Sequence, residues 1–111
     1  MADHSVELGG ICARLQVMRA MGYEFAADHD TDGSITAVVG VRVHRGVIDI
    51  FELYGEDDAI ATRMPDSEPN IMLARTVLWH THGRADIVID DLLGLPDPAR
   101  ARHLVTVPRA D

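Results

Sequence analysis

The sequence predicts an α+β domain: an antiparallel meander sheet of four to five strands, flanked by an N-terminal and a C-terminal helix. Three observations carry this. Apolar residues recur at helical spacing over residues 5–21, then alternate in strand fashion from Tyr23 to about Met64. Tight-turn pairs, Asp32-Gly33 and Arg45-Gly46, punctuate the strand region. Helical spacing returns over residues 84–93.

The first helix shows Leu8, Ile11, Cys12, Leu15 and Met18 on one face, with Gly22 as its stop. Asp3 or Ser5 suits its cap. Gly9 and Gly10 each weaken a helix by about 1 kcal/mol relative to alanine, so a start at Ile11 is the alternative. Cys12, flanked on its face by Leu8 and Leu15, is expected to be a buried, inert thiol.

The strands read "YEFAAD", "SITAVVGVRVH", "VIDIFELY" and "AIATRM". With Arg45-Gly46 as a two-residue loop, Arg42 lies across from Asp49 and Gly40 across from Phe51. With Asp32-Gly33 closing the preceding hairpin, Phe25 faces Gly40 from the other side. Two independent turns therefore predict one row, in which two rings flank a glycine. Asp49, an awkward acid in an apolar strand, gains Arg42 as its charge partner.

"PDSEPN" is a surface connection, and "IMLARTVLWHT" suits either a fifth strand or a helix. The last helix runs through Ala85, Val88, Ile89 and Leu92 and ends at Gly94 and Pro96. Residues 96–111 read as a tail, in which "RHLVTV" offers a short edge strand. One domain spans 1–111; no linker or repeat divides it.

The sheet's two faces differ. Ile35, Ala37, Val39, Val41, Val43, Ile48 and Ile50 should meet the helices. Tyr23, Phe25, Val38, Val47, Phe51 and Leu53, with Arg42 and Asp49 among them, form a second face that two short helices leave bare. Phe25, Arg42 and Phe51 are then candidate interface residues. Arg42, His44 and Asp49 on the same face are the alternative, a ligand-binding or catalytic cluster.

Two motifs point to a divalent cation as a further alternative. "DHDTDG" sets Asp28, Asp30, Asp32 and Gly33 as in the first half of a calcium loop. The twelfth position of such a loop needs a glutamate, and Val39 stands there, so an exposed hairpin turn is the preferred reading. His80 and His82 in "WHTHG" project from one side of a strand as metal ligands do, with Trp79 on the other side as an anchor of the core or of an interface. The sequence assigns them no further ligand.

Charge narrows the function classes. The net charge is −8, which opposes a phosphate backbone, so nucleic acid is not the expected partner. All ten basic residues are arginine. No stretch is apolar over a membrane-spanning length, and the start lacks the pattern of a signal peptide, so a cytoplasmic chain is expected. Nucleotide-loop, metalloprotease and nucleophile motifs are missing, and no cofactor is implied. The expectation is a small non-enzymatic accessory or regulatory protein acting on a protein partner or on itself, as a homodimer.

Overall fold

The computed structural model describes residues 2–73 and 75–96, with side chains from Gly10 onward except that of Leu73. Helix α1 (Ala2–Ala20) precedes five strands: β1 (Glu24–His29), β2 (Ile35–His44), β3 (Val47–Gly55), β4 (Asp58–Pro65) and β5 (Trp79–Gly83). Helix α2 (Ala85–Leu93) follows. The strands lie side by side in chain order, each antiparallel to the next. This is the α+β meander that the turn signals predict. The expected strand "RHLVTV" lies outside the described residues.

Helix α1 runs through Gly9 and Gly10 from Ala2, without a later start at Ile11. Its end is a glycine stop: Gly22 has φ 110°, Tyr23 N–H donates to Met18 O at 3.1 Å, and Gly22 N–H to Arg19 O at 3.0 Å. Cys12 is exposed, against expectation. Ile11, Leu15 and Met18 turn inward, and the neighbouring helical position rotates Cys12 away from them toward water.

The β2–β3 corner is a two-residue loop. Arg45 (φ 51°) and Gly46 (φ 85°) both take the left-handed conformation that matches the twist of the strands. Arg42 lies across Asp49 and Gly40 across Phe51, as predicted. The β1–β2 corner is built differently. Asp30 N–H donates to Ser34 O at 2.9 Å and Gly33 N–H to Asp30 O at 3.1 Å, so residues 31–33 form a three-residue loop. That loop pairs His29 with Ile35, one residue out of the expected register. A bulge at Thr36 then restores the count, and Phe25 meets Gly40. The two irregularities cancel. Ile35, paired with His29, leaves the valine face to which alternation assigns it.

The helices cover the aromatic face, the reverse of the expectation. Phe51, Ala59 and Ala61 pack with Tyr23, Met18 and the α2 stripe of Ala85, Val88, Ile89 and Leu92, all buried. The row extends from Phe25, Gly40 and Phe51 to Ala61 and Thr81. Small residues explain the choice: Ala59 and Ala61 leave a shallow floor on β4, so the α2 stripe packs close to the sheet, and Gly40 makes room for the Phe25 ring. Phe51 and its buried neighbours contribute about 1.5–3 kcal/mol for each large side chain removed from water. Arg14 ties the helices together with a fork on Asp90, at 2.9 and 3.1 Å.

On the other face, Ile48, Ile50 and Met64 are buried against Val39, Val41 and Ile71. Their cover is not a helix layer but residues 66–73 and 75–78, which include the short 3-10 turn Ile71–Leu73. Leu78 N–H donates to Arg63 O at 2.7 Å, and Glu68 accepts Thr76 N–H at 2.8 Å. The fifth strand is therefore confined to Trp79–Gly83, because Ile71 is drawn across the apolar patch of β3 and β4.

Candidate interaction face and buried ion network

Asp49 is the centre of the polar residues under the helices. It is 1% exposed, on the same strand face as Phe51. Its expected partner, Arg42, is its cross-strand neighbour in β2, but the ion pair forms on the other side. Arg63 of β4, 5% exposed, forks onto Asp49, with Nε to Oδ1 at 2.7 Å and Nη2 to Oδ2 at 2.9 Å. His44 Nε2 lies 2.7 Å from Asp49 Oδ2. Arg63 also donates to Pro96 O at 3.1 Å, which fastens the chain after α2 onto the sheet. Two oxygens thus meet three donors, the arrangement a buried charge pair needs.

Arg63 escaped the sequence reading. The β2–β3 loop specifies its register, whereas "GEDD" does not, and the β3–β4 pairing shifts between Leu53 and Gly55. Only that pairing sets Asp49 opposite Arg63. Arg42 instead places its guanidinium 6.0 Å from the centre of the Tyr23 ring. Tyr23 is 3% exposed, and burial pushes its phenol above the ordinary value, with Asp49 adding to the effect and Arg42 offsetting part of it.

The expected interface residues do not form a bare patch. Phe51 is fully buried, Phe25 is half-buried against the core and stacked near Tyr23, and Arg42 is half-buried. Of the exposed apolar residues, Val43 (65%), Met72 (55%) and Val77 (44%) lie on the opposite face and its covering segment, while Val17 and Ile87 are on the helices and Met21 just past the end of α1. Val39 and Val41 are half-buried beside Val43. Strand parity turns Glu24 and Asp28 of β1, and His80 and His82 of β5, to that same side.

The aspartates of the first corner serve the turn. Asp30 Oδ1 accepts the N–H groups of Asp32 and Ser34, both at 3.1 Å, and Asp32 Oδ1 accepts Ser34 N–H at 2.9 Å. Hydrogen bonds with Asp30 and Ser34 bring the Asp32 carboxyl down to about 2. Asp28 is in β1, outside this loop. His80 Nδ1 lies 3.1 Å from Thr62 Oγ1, and His82 Nε2 2.9 Å from Asp58 Oδ1. Trp79 packs toward the core, as alternation predicts. Among the described residues no three His, Cys, Asp or Glu side chains converge as a metal site. No helix among them is long and apolar enough to cross a membrane.

Comparison with protein-family models, curated proteins and solved structures finds no match to this chain.

Proposed function

We propose that this chain is a small non-enzymatic accessory or regulatory protein that works through protein–protein contact, with a second copy of itself as the partner. The observation that carries the reading is the half-covered sheet face. On its β1–β2 half, Val43 is 65% exposed, with Val39 and Val41 half-buried beside it. On its β3–β5 half stands a ridge of residues 66–73 and 75–78, from which Met72 and Val77 project at 55% and 44% exposure.

A two-fold axis parallel to the strands, above β3, exchanges these halves. It sets the valine stripe of one copy against the Met72–Val77 ridge of the other, twice over, as an isologous contact demands. The same rotation carries Glu24 and Asp28 of one copy toward His80 and His82 of the other, a charge match when the imidazoles are protonated. Burying these apolar groups removes from water a stripe that one copy leaves wet.

Sedimentation velocity across a concentration series tests the reading. The parent chain is expected to dimerise, more tightly in added salt, because each copy carries a charge of −8 and salt screens the repulsion. Val43→Asp at this exposed site is expected to remain folded and monomeric. A parent monomeric at every concentration, or a dimer indifferent to Val43→Asp, overturns the proposal.

A further inference from the structure

We infer that the cleft between Tyr23, Arg42, His44 and the end of α2 is a binding site for a small oxyanion, a carboxylate or a phosphate group. The cleft holds about 190 Å³ and lies on the helix side of the sheet, away from the proposed dimer face. Its floor is Tyr23, Arg42, His44, Asp49 and Arg63; Leu92, Leu93 and Leu95 form an apolar wall.

Among the described lining residues Asp49 is the one carboxylate, and it shares the cleft with Arg42 and Arg63. Both Asp49 oxygens are engaged by Arg63, and one also meets His44. Asp49 therefore neutralises Arg63, and its hydrogen bonds go to Arg63 and His44 rather than to Arg42. The Arg42 guanidinium lies beside the Tyr23 ring, and among the described residues no carboxylate pairs with it.

A half-buried guanidinium in a chain of net charge −8 is an unusual local positive centre. A hydrogen bond to the Tyr23 hydroxyl and the ring contact fix the Arg42 guanidinium, and its other N–H groups can meet two oxygens of one anion, the way arginine binds carboxylate or phosphate best. The leucine wall lowers the local dielectric and strengthens that attraction. It also favours an organic anion with a short apolar body over a bare ion.

The test titrates inorganic phosphate and isobutyrate separately into the full chain, at ionic strength held constant with chloride. Chemical shifts of the His44 imidazole and of the Arg42 Nε–H are followed by NMR. At least one of the two anions is expected to shift both signals saturably, and the arm that saturates at lower concentration identifies the group. Arg42→Gln is expected to weaken binding by about tenfold or more, with Arg42→Lys intermediate. The Val43→Asp monomer is expected to bind unchanged, which separates this site from the dimer face. Shifts that stay linear for both anions, or saturate equally in folded Arg42→Gln, overturn the inference.

Discussion

The ring of Phe25 occupies the space that a side chain at Gly40 would need. A Cβ built on Gly40 would stand 2.8 Å from Phe25 Cδ1 and 3.1 Å from Cζ. Glycine is required by that ring rather than by the backbone, since Gly40 is in regular β2. Gly40→Ala is expected to destabilise by about 1–3 kcal/mol through overpacking. In a Phe25→Ala background the same change should cost almost nothing, a non-additivity that chemical denaturation of the four proteins measures. Equal costs in both backgrounds would refute the steric account.

Asp49 and Arg63 form a buried pair whose halves depend on each other. Asp49→Ala strands the Arg63 guanidinium at 5% exposure and is expected to cost about 3–5 kcal/mol. Replacing both, as Asp49→Leu with Arg63→Met, should recover much of that loss, because no unpaired charge remains. Arg42→Gln should cost far less, since Arg42 does not pair with Asp49. Urea midpoints rank the three variants, and a loss for Arg42→Gln as large as for Asp49→Ala would restore Arg42 as the true partner.

At the first corner the expected chemistry is structural. Asp30→Ala removes an acceptor from two N–H groups and should lower stability by about 0.5–1.5 kcal/mol. Calorimetric titration of calcium should give no saturable heat in the parent. Micromolar binding that Asp30→Ala abolishes would make the corner a cation site after all.

Acid should act partly through depressed carboxyls. Asp32 is lowered from 3.8 to about 2 by its hydrogen bonds with Asp30 and Ser34, and Asp90 is lowered by those from Arg14. A carboxyl depressed in the fold contributes stability that is complete above its unfolded value and lost as pH falls through its folded one. For Asp32 the loss spans 3.8 down to about 2. Stability measured over that window should fall less steeply in Asp32→Asn than in the parent.

Alkali acts with the opposite sign, through Tyr23. Its phenol is raised above 10.0 by burial, so its contribution is intact below that pH and lost as pH rises further. Tyrosinate absorbance of Tyr23 should therefore appear together with loss of the circular dichroism of the fold. Tyr23→Phe should remove that share of the alkaline transition. Ionisation of Tyr23 near pH 10 in the intact fold would contradict its burial.

Much of the architecture was legible because local rules are strict. A left-handed pair at Arg45-Gly46 admits one pairing, and from it follow Arg42 opposite Asp49 and Gly40 opposite Phe51. The α2 stripe named from spacing, Ala85, Val88, Ile89 and Leu92, is the buried set. The row through Phe25 was also foreseen, although a three-residue loop and a bulge at Thr36 produce it together.

Alternation along a strand divides residues into two faces but does not say which face the helices take. That depended on the small floor of Ala59 and Ala61 under α2, with Gly40 making room for Phe25, and it buried Phe51 where a bare interface was expected. The partner of Asp49 likewise depended on a β3–β4 register that "GEDD" leaves open. The sequence by itself determined the order of elements, the two turns and the apolar stripe of each strand, because these rest on neighbours in the chain. Only the tertiary structure decided which stripe lies under the helices and which arginine neutralises Asp49, because both are settled by packing between residues far apart in sequence.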